Sequence, residues 1–252
     1  PGREQVTVAG SYVTIPSSPL VTGLGSFTVQ AWVFPTTPEK DAQGLISNWD
    51  DATASGFALT IDDSGAAAMR LGDGSGGTVE VTTGKPLAKR RWHLVTAAYD
   101  AAAGAICVSQ DFIGPQFEAS TSASATVAAD FTPAMASAQP LIMAAMPATH
   151  PAGRPGASHF FNGKLDRPRL VGRALNLADS ASLGWDALPH ERDTSVVAAW
   201  DFSREIGDVT VIDAGPNGLH GRLVNLPSRA VKGFNWSGAE QNWRHAPQEY
   251  GA

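Results

Sequence analysis

A chain of 252 residues with 43% hydrophobic and 17% charged side chains has ample material for a packed core and fits one large all-β domain. A formal net charge of -6 excludes the dense basic face that nucleic-acid phosphates require. No apolar run is long enough to span a bilayer as a helix, so neither nucleic acid nor membrane is an expected partner.

Pro1-Gly2-Arg3-Glu4 does not read as a signal peptide, and the absence of an initiating Met suggests a piece of something longer. Cys107 is the sole cysteine, which rules out an internal disulfide and a cysteine-rich metal site. It sits in the apolar run 105–108 and reads as a small buried hydrophobe. Together these features point to a reducing, cytoplasmic setting.

In chain order, residues 27–34 form a β-branched and aromatic run that Pro35 stops. Strands follow at 44–48, 56–62, 68–71 and 78–82, with Asp63-Ser64-Gly65 and a glycine loop as turns. Residues 92–99 are almost wholly apolar, as in a strand covered on both faces, and 104–111 return antiparallel. Residues 119–128 are biased to Ala, Ser and Thr and read as an extended surface connection. Further strands are expected at 141–144, at 160–171 with a break near Pro168, and at 196–202, 219–224 and 229–234. Residues 147–156 read as a loop, and 175–186 as the single helix, capped by Asn176. Strands at this spacing predict a sandwich of two antiparallel sheets with one short helix. It should occupy residues 1–236, with 237–252 as a C-terminal tail.

Three segments go beyond a generic β pattern. They are Ser26-Phe27-Thr28-Val29-Gln30-Ala31-Trp32-Val33, Arg91-Trp92-His93-Leu94-Val95, and Phe161-Asn162-Gly163-Lys164-Leu165-Asp166 running on to Arg173-Ala174-Leu175. In this order they resemble laminin G-like domains of the concanavalin A-like jelly-roll class. Residues 198–202 and 213–225 look like the segment that usually opens such a domain, but here they come last. The resemblance therefore implies a circularly permuted jelly roll with Pro1 and Trp236 as near neighbours.

Residues 223–236, with Gln241-Asn242-Trp243-Arg244 and the end of the tail, resemble the large (beta) subunits of N,N-dimethylformamidases. In that family such a sandwich precedes the catalytic part. The resemblance implies a parent amide hydrolase whose iron is held by two tyrosines and a glutamate. Tyr12, Tyr99 and Tyr250 match no such ligand motif, so no catalytic residue is carried over and no iron is expected in this chain.

Residues 72–77 satisfy G-x-G-x-x-G, but a strand pattern follows where a dinucleotide site needs a helix, so a hairpin is expected. An extra glycine also spoils the likeness to a serine-protease Gly-Asp-Ser-Gly-Gly. Asp62, Glu80 and Asp166 are isolated, without the paired spacing of sandwich glycosidases. The six histidines show no zinc spacing; His93 should pack within the sandwich and His220 should line a turn. Asp213 and Asn217 offer hard oxygens that could hold a structural calcium, with an Asx-type turn as the plainer reading. Of the seven tryptophans, Trp32, Trp92 and Trp200 read as core. Trp49, beside Asp50 and Asp51, is the candidate for an exposed ring that stacks on sugar. Trp185, Trp236 and Trp243 suit packing against a host domain.

The expected role is a non-catalytic structural and interaction module that buries surface against a host catalytic domain or a neighbouring subunit. A carbohydrate-binding, lectin-like module is the alternative.

Overall fold

In a computed structural model, the described residues are 10–112, 120–128, 130–149, 155–185, 195–229 and 233–234. The strand β2 (Phe27–Pro35) sets the pattern of the fold. Phe27, Val29, Ala31 and Val33 enter the main core, while Thr28, Gln30 and Trp32 are buried on the opposite face. Successive side chains of a strand point to opposite sides, so a run buried throughout needs cover on both faces.

The first sheet comprises β6 (Thr78–Pro86), β5 (Ala66–Asp73), β4 (Ser55–Ile61), β3 (Gln43–Asp50), β10 (Leu141–Met143), β1 (Tyr12–Ile15), β16 (Gly221–Val224) and β15 (Thr210–Asp213), in that spatial order. The second runs β14 (Val196–Asp201), β13 (Gly163–Val171), β2, β7 (His93–Asp100), β8 (Ala105–Phe112) and β9 (Thr121–Thr126). All pairings are antiparallel. The sheets join where β14 meets β15 at Trp200↔Asp213 and Asp201↔Ile212. At the other end β6 lies against β9, so the layers nearly close around one core. Phe27, Val95, Ile106 and Leu170 of the second sheet face Ile15, Phe57, Leu59 and Met69 of the first.

A hairpin of β11 (Met146–Thr149) and β12 (Pro155–Ser158) crosses the outer face of β3. It can come so close because Gly44 has no side chain: a Cβ there would lie 2.4 Å from the Ala145 carbonyl. The expected loop at 147–156 is thus partly a hairpin. The helix is α2 (Leu177–Trp185), and the Asn176 side chain caps it by accepting from Asp179 N–H at 2.9 Å. A single turn, α1 (Pro19–Thr22), precedes β2. No helix among the described residues is long and apolar enough to cross a membrane.

Three expectations are corrected. Residues 121–126 are not a mere connection: they form edge strand β9, paired along β8 by backbone hydrogen bonds that small side chains satisfy as well as large ones. Strand β15 falls between two predicted segments. Arg229, Gly233 and Phe234 are not in a strand, and residues 230–232 lie outside the described set.

β1 sits between β10 and β16. The Ser11 hydroxyl donates to the Asn225 carbonyl at 2.9 Å, and the Asn225 amide donates to the Gly10 carbonyl at 2.8 Å. The first and last of the described strands, β1 and β16, are therefore side by side. Pro1, Trp236 and the tail 237–252 lie outside the described residues.

Candidate functional site

The kink in β13 creates the most chemically loaded surface. Asp166 pairs with Trp32 and Arg169 pairs with Gln30, but the register slips between them, where Arg167 adopts φ 46° just before Pro168. This turns the Arg167 side chain towards the ring of Phe234, with its guanidinium carbon 4.7 Å from the ring centroid. Phe234 stacks on Trp32 at 4.3 Å with the planes 7° apart, and meets Trp92 edge-on at 6.5 Å. Leu94 completes this outer-face cluster. An aromatic ring between an indole and a guanidinium gains both dispersion and quadrupole attraction.

The Phe234 backbone N–H also donates to the Asp166 carboxylate. Burial pushes the Asp166 carboxyl above the ordinary aspartate range, and the nearby Asp201 charge adds to this. Arg167 and the backbone N–H groups oppose the shift without cancelling it. Asp201 goes the other way: burial would raise it, but Ser203 and Arg204 outweigh that and hold it low. Neighbouring strands thus carry two carboxylates with opposed tendencies.

The raised group has a signed consequence. Its stabilising contribution is complete below the ordinary aspartate pKa and disappears as pH rises through the raised folded value. Asp166→Asn removes that penalty. The thermal midpoint of the variant minus that of the wild type is therefore expected to grow between about pH 4 and pH 7. A difference that stays flat or shrinks would contradict the shift.

Beside this cluster lies a cavity of about 1050 Å³, where β13 and β14 face β1, β10 and β16. Tyr12, Trp92 and Phe161 supply aromatic wall, and Asp166, Arg169 and Asp201 supply polar wall. Arg229 stands on its rim and donates to the carbonyls of Phe202, Arg204, Glu205, Asp208 and Thr210. Sequence reading did not single out Arg167, Asp201, Arg229 or Phe234 as a group, because they come from three separate segments. Only the Pro168 break hinted at a special feature there.

The expected site residues fall elsewhere. Trp49 is only 3% exposed. Its Nε1 donates to Asp51 at 2.7 Å, Arg70 lies 5.7 Å from its ring, and Met146 of the crossing hairpin packs on it. The open ring expected for sugar stacking is thus absent, because a segment some hundred residues away covers it. Trp236 and Trp243 lie outside the described residues.

Trp32 is buried, but on the outer face of its sheet and not between the sheets. Trp200 does enter the main core, and its Nε1 donates to the Leu219 carbonyl at 2.7 Å. His93 is buried, with Nε2 3.2 Å from the Ala88 carbonyl. His220 lines its turn, where Nδ1 accepts from Asp213 N–H at 3.0 Å. The Asp213 carboxylate accepts from the N–H groups of Ala199, Gly215 and Leu219 at 2.8–2.9 Å, as a loop-closing aspartate does. Asn217 spends its amide on the Val197 carbonyl.

Residues 72–77 form a hairpin in which Asp73 accepts from Ser75 and Gly77. Cys107 is partly buried and its thiol is pushed up by burial, which suppresses the thiolate. Among the described residues no three His, Cys, Asp or Glu side chains are grouped to hold a metal. Tyr12 packs on Phe160 at 6.1 Å and Tyr99 on Phe27 at 6.3 Å, in different sheets. Tyr250 lies outside the described residues.

Residues 7–179 match the sequence profile of the concanavalin A-like lectin/glucanases superfamily. The chain belongs to that superfamily. The matched span stops before β14–β16. Over its full length the chain is 35% identical to the N,N-dimethylformamidase beta subunit of Paracoccus aminophilus and covers 34% of that protein. It is also 35% identical to the corresponding subunit of an Alcaligenes species, again covering 34% of it. The chain therefore spans about a third of the length of the curated relatives it matches. A solved structure from Bacteroides ovatus, classed as carbohydrate-binding, superposes with a TM-score of 0.56 at 14% identity, over 90% of this chain and 59% of the other. At that identity the likeness is one of superfamily fold alone.

Proposed function

We propose that this chain is a non-catalytic interaction module of a dimethylformamidase-type amide hydrolase beta subunit, packing against the catalytic part of that subunit or against a neighbouring subunit. The observation that carries this reading is identity along the whole chain to two such subunits, of which the chain is only a third. The use of its acidic side chains supports it. Asp62, Asp73, Asp100, Asp208 and Asp213 each accept from nearby backbone N–H groups and so close turns of the scaffold. The iron of the parent would then belong to other segments.

Purified alone, this chain is expected to release no dimethylamine from N,N-dimethylformamide above the uncatalysed rate. A beta subunit from which the equivalent segment has been removed should fail to assemble. Turnover by the isolated chain would overturn the proposal.

A carbohydrate-binding reading draws on the shared lectin-type fold and on the aromatic wall of the cavity. Titration with a panel of mono- and oligosaccharides to about 10 mM, followed by tryptophan emission, tests it, since even weak sites fill at that level. An unchanged spectrum removes it.

A further inference from the structure

The chain carries more acidic than basic side chains, 24 against 18, yet the wall of the cavity has the opposite balance. Among the described residues Lys40, Lys164, Arg167, Arg169 and Arg229 line it, against the two carboxylates of Asp166 and Asp201. Both acids are engaged locally. Asp201 accepts from the Ser203 N–H and hydroxyl and from Arg204. Asp166 accepts from the Phe234 N–H and lies beside Arg167, and burial draws its carboxyl towards the neutral form. Lys40 and Lys164, by contrast, make no ion pair among the described residues. Arg169 is only 2% exposed, so its charge sits within the wall itself. A cleft of one charge sign in low-dielectric walls focuses its field and concentrates ions of the other sign.

The same wall offers fixed aromatic faces. The Phe160 ring lies against Gly10 and the Phe161 ring against Gly163; a Cβ at either glycine would lie 2.4 Å from the ring. Tyr12 meets Phe160 at 6.1 Å, and Trp92 meets Phe34 at 5.4 Å. The Lys164 ammonium stands 5.1 Å from the centre of that Phe34 ring, so a cation and two aromatic side chains come together there. Arg167, also in the wall, is held at φ 46°, a left-handed conformation that persists only where the surroundings over-determine it and that concentrates at ligand sites.

We infer that this cavity is a binding site for a small aromatic carboxylate, its ring taken by the wall of Tyr12, Phe160, Phe161 and Trp92 and its carboxylate by Lys40 and Lys164. A volume of about 1050 Å³ lies at the upper end of small-ligand sites. A neutral sugar would leave the surplus of positive charge uncompensated, and an inorganic anion would leave the aromatic faces in water. Such a site does not depend on the interaction role proposed above.

Isothermal titration of the 252-residue chain with naphthoate, and with its uncharged counterpart naphthalenemethanol, tests this. Naphthoate should bind with a Kd of about 0.1–1 mM in low salt, and the alcohol roughly tenfold more weakly or worse. Raising the ionic strength from about 0.02 M to about 0.5 M should weaken naphthoate by roughly threefold, because exposed charges are screened. The double variant Lys40→Gln/Lys164→Gln should bind naphthoate roughly tenfold more weakly than wild type. Arg70→Gln, on β5 and outside the cavity, should change nothing. No heat from naphthoate at about 5 mM, or equal affinity for the two ligands, would overturn the site. An unchanged affinity in the double variant would overturn the assignment of the carboxylate to the two lysines.

Discussion

Replacing Asp213 with alanine should lower the thermal midpoint of the chain by about 10 °C. The carboxylate accepts from the N–H groups of Ala199, Gly215 and Leu219. Those donors belong to β14 and to the turn before β16, so one side chain fastens the junction where the two sheets meet. Truncation leaves three donors without an acceptor. Each stranded group costs about 1–3 kcal/mol, less where water reaches it, so about 4 kcal/mol in total is reasonable. For a domain of this size each kcal/mol shifts the midpoint by about 2–4 °C. Asp213→Asn should lose roughly half as much, since its carbonyl oxygen still accepts while its NH2 faces a donor. The wild-type midpoint should be insensitive to calcium and to chelator, because each carboxylate oxygen already accepts a backbone N–H and, among the described residues, no three acidic, histidine or cysteine side chains are grouped to hold a metal. A loss below about 3 °C would show that the junction does not depend on Asp213. Strong stabilisation by calcium would replace the hydrogen-bond account with a metal site.

The strands most legible in the sequence are those with dense β-branched, aromatic or apolar content. β2 reads from its aromatic and β-branched run ending at Pro35, and β7 from its apolar content. The helix start is written in Asn176, whose side chain supplies the missing acceptor. What alternation cannot say is which face lies between the sheets when both are covered. Trp32 therefore reads as core yet packs on the outside, beneath Phe234. Trp49 misleads for a similar reason: two acidic neighbours suggest exposure, while the covering hairpin is far off in sequence. The cluster of Asp166, Asp201, Arg167 and Phe234 is a product of register. A one-residue slip at the β13 kink brings its members together, and local pattern carries no information about partners on other strands.

Phe234→Ala should cost about 3 kcal/mol and lower the midpoint by roughly 6–10 °C. The ring is buried, stacked on Trp32 and held beneath Arg167, so its removal uncovers the outer face of the second sheet. Phe234→Leu keeps apolar cover but loses the stacking and cation–π terms, and should lose about half as much. Trp32 emission should shift to longer wavelength in the alanine variant as water reaches the indole. Double-mutant cycles with Arg167→Ala should show a coupling near 0.5–1 kcal/mol, the usual worth of a partly exposed cation–π pair. The same variant tests the origin of the Asp166 shift. Because burial is the main cause, opening the site should bring that carboxyl back towards the ordinary range. The pH-dependent gain from Asp166→Asn should then shrink when Phe234→Ala is already present. If the alanine variant melts like wild type and Trp32 emission does not move, residue 234 is not a structural anchor of this face.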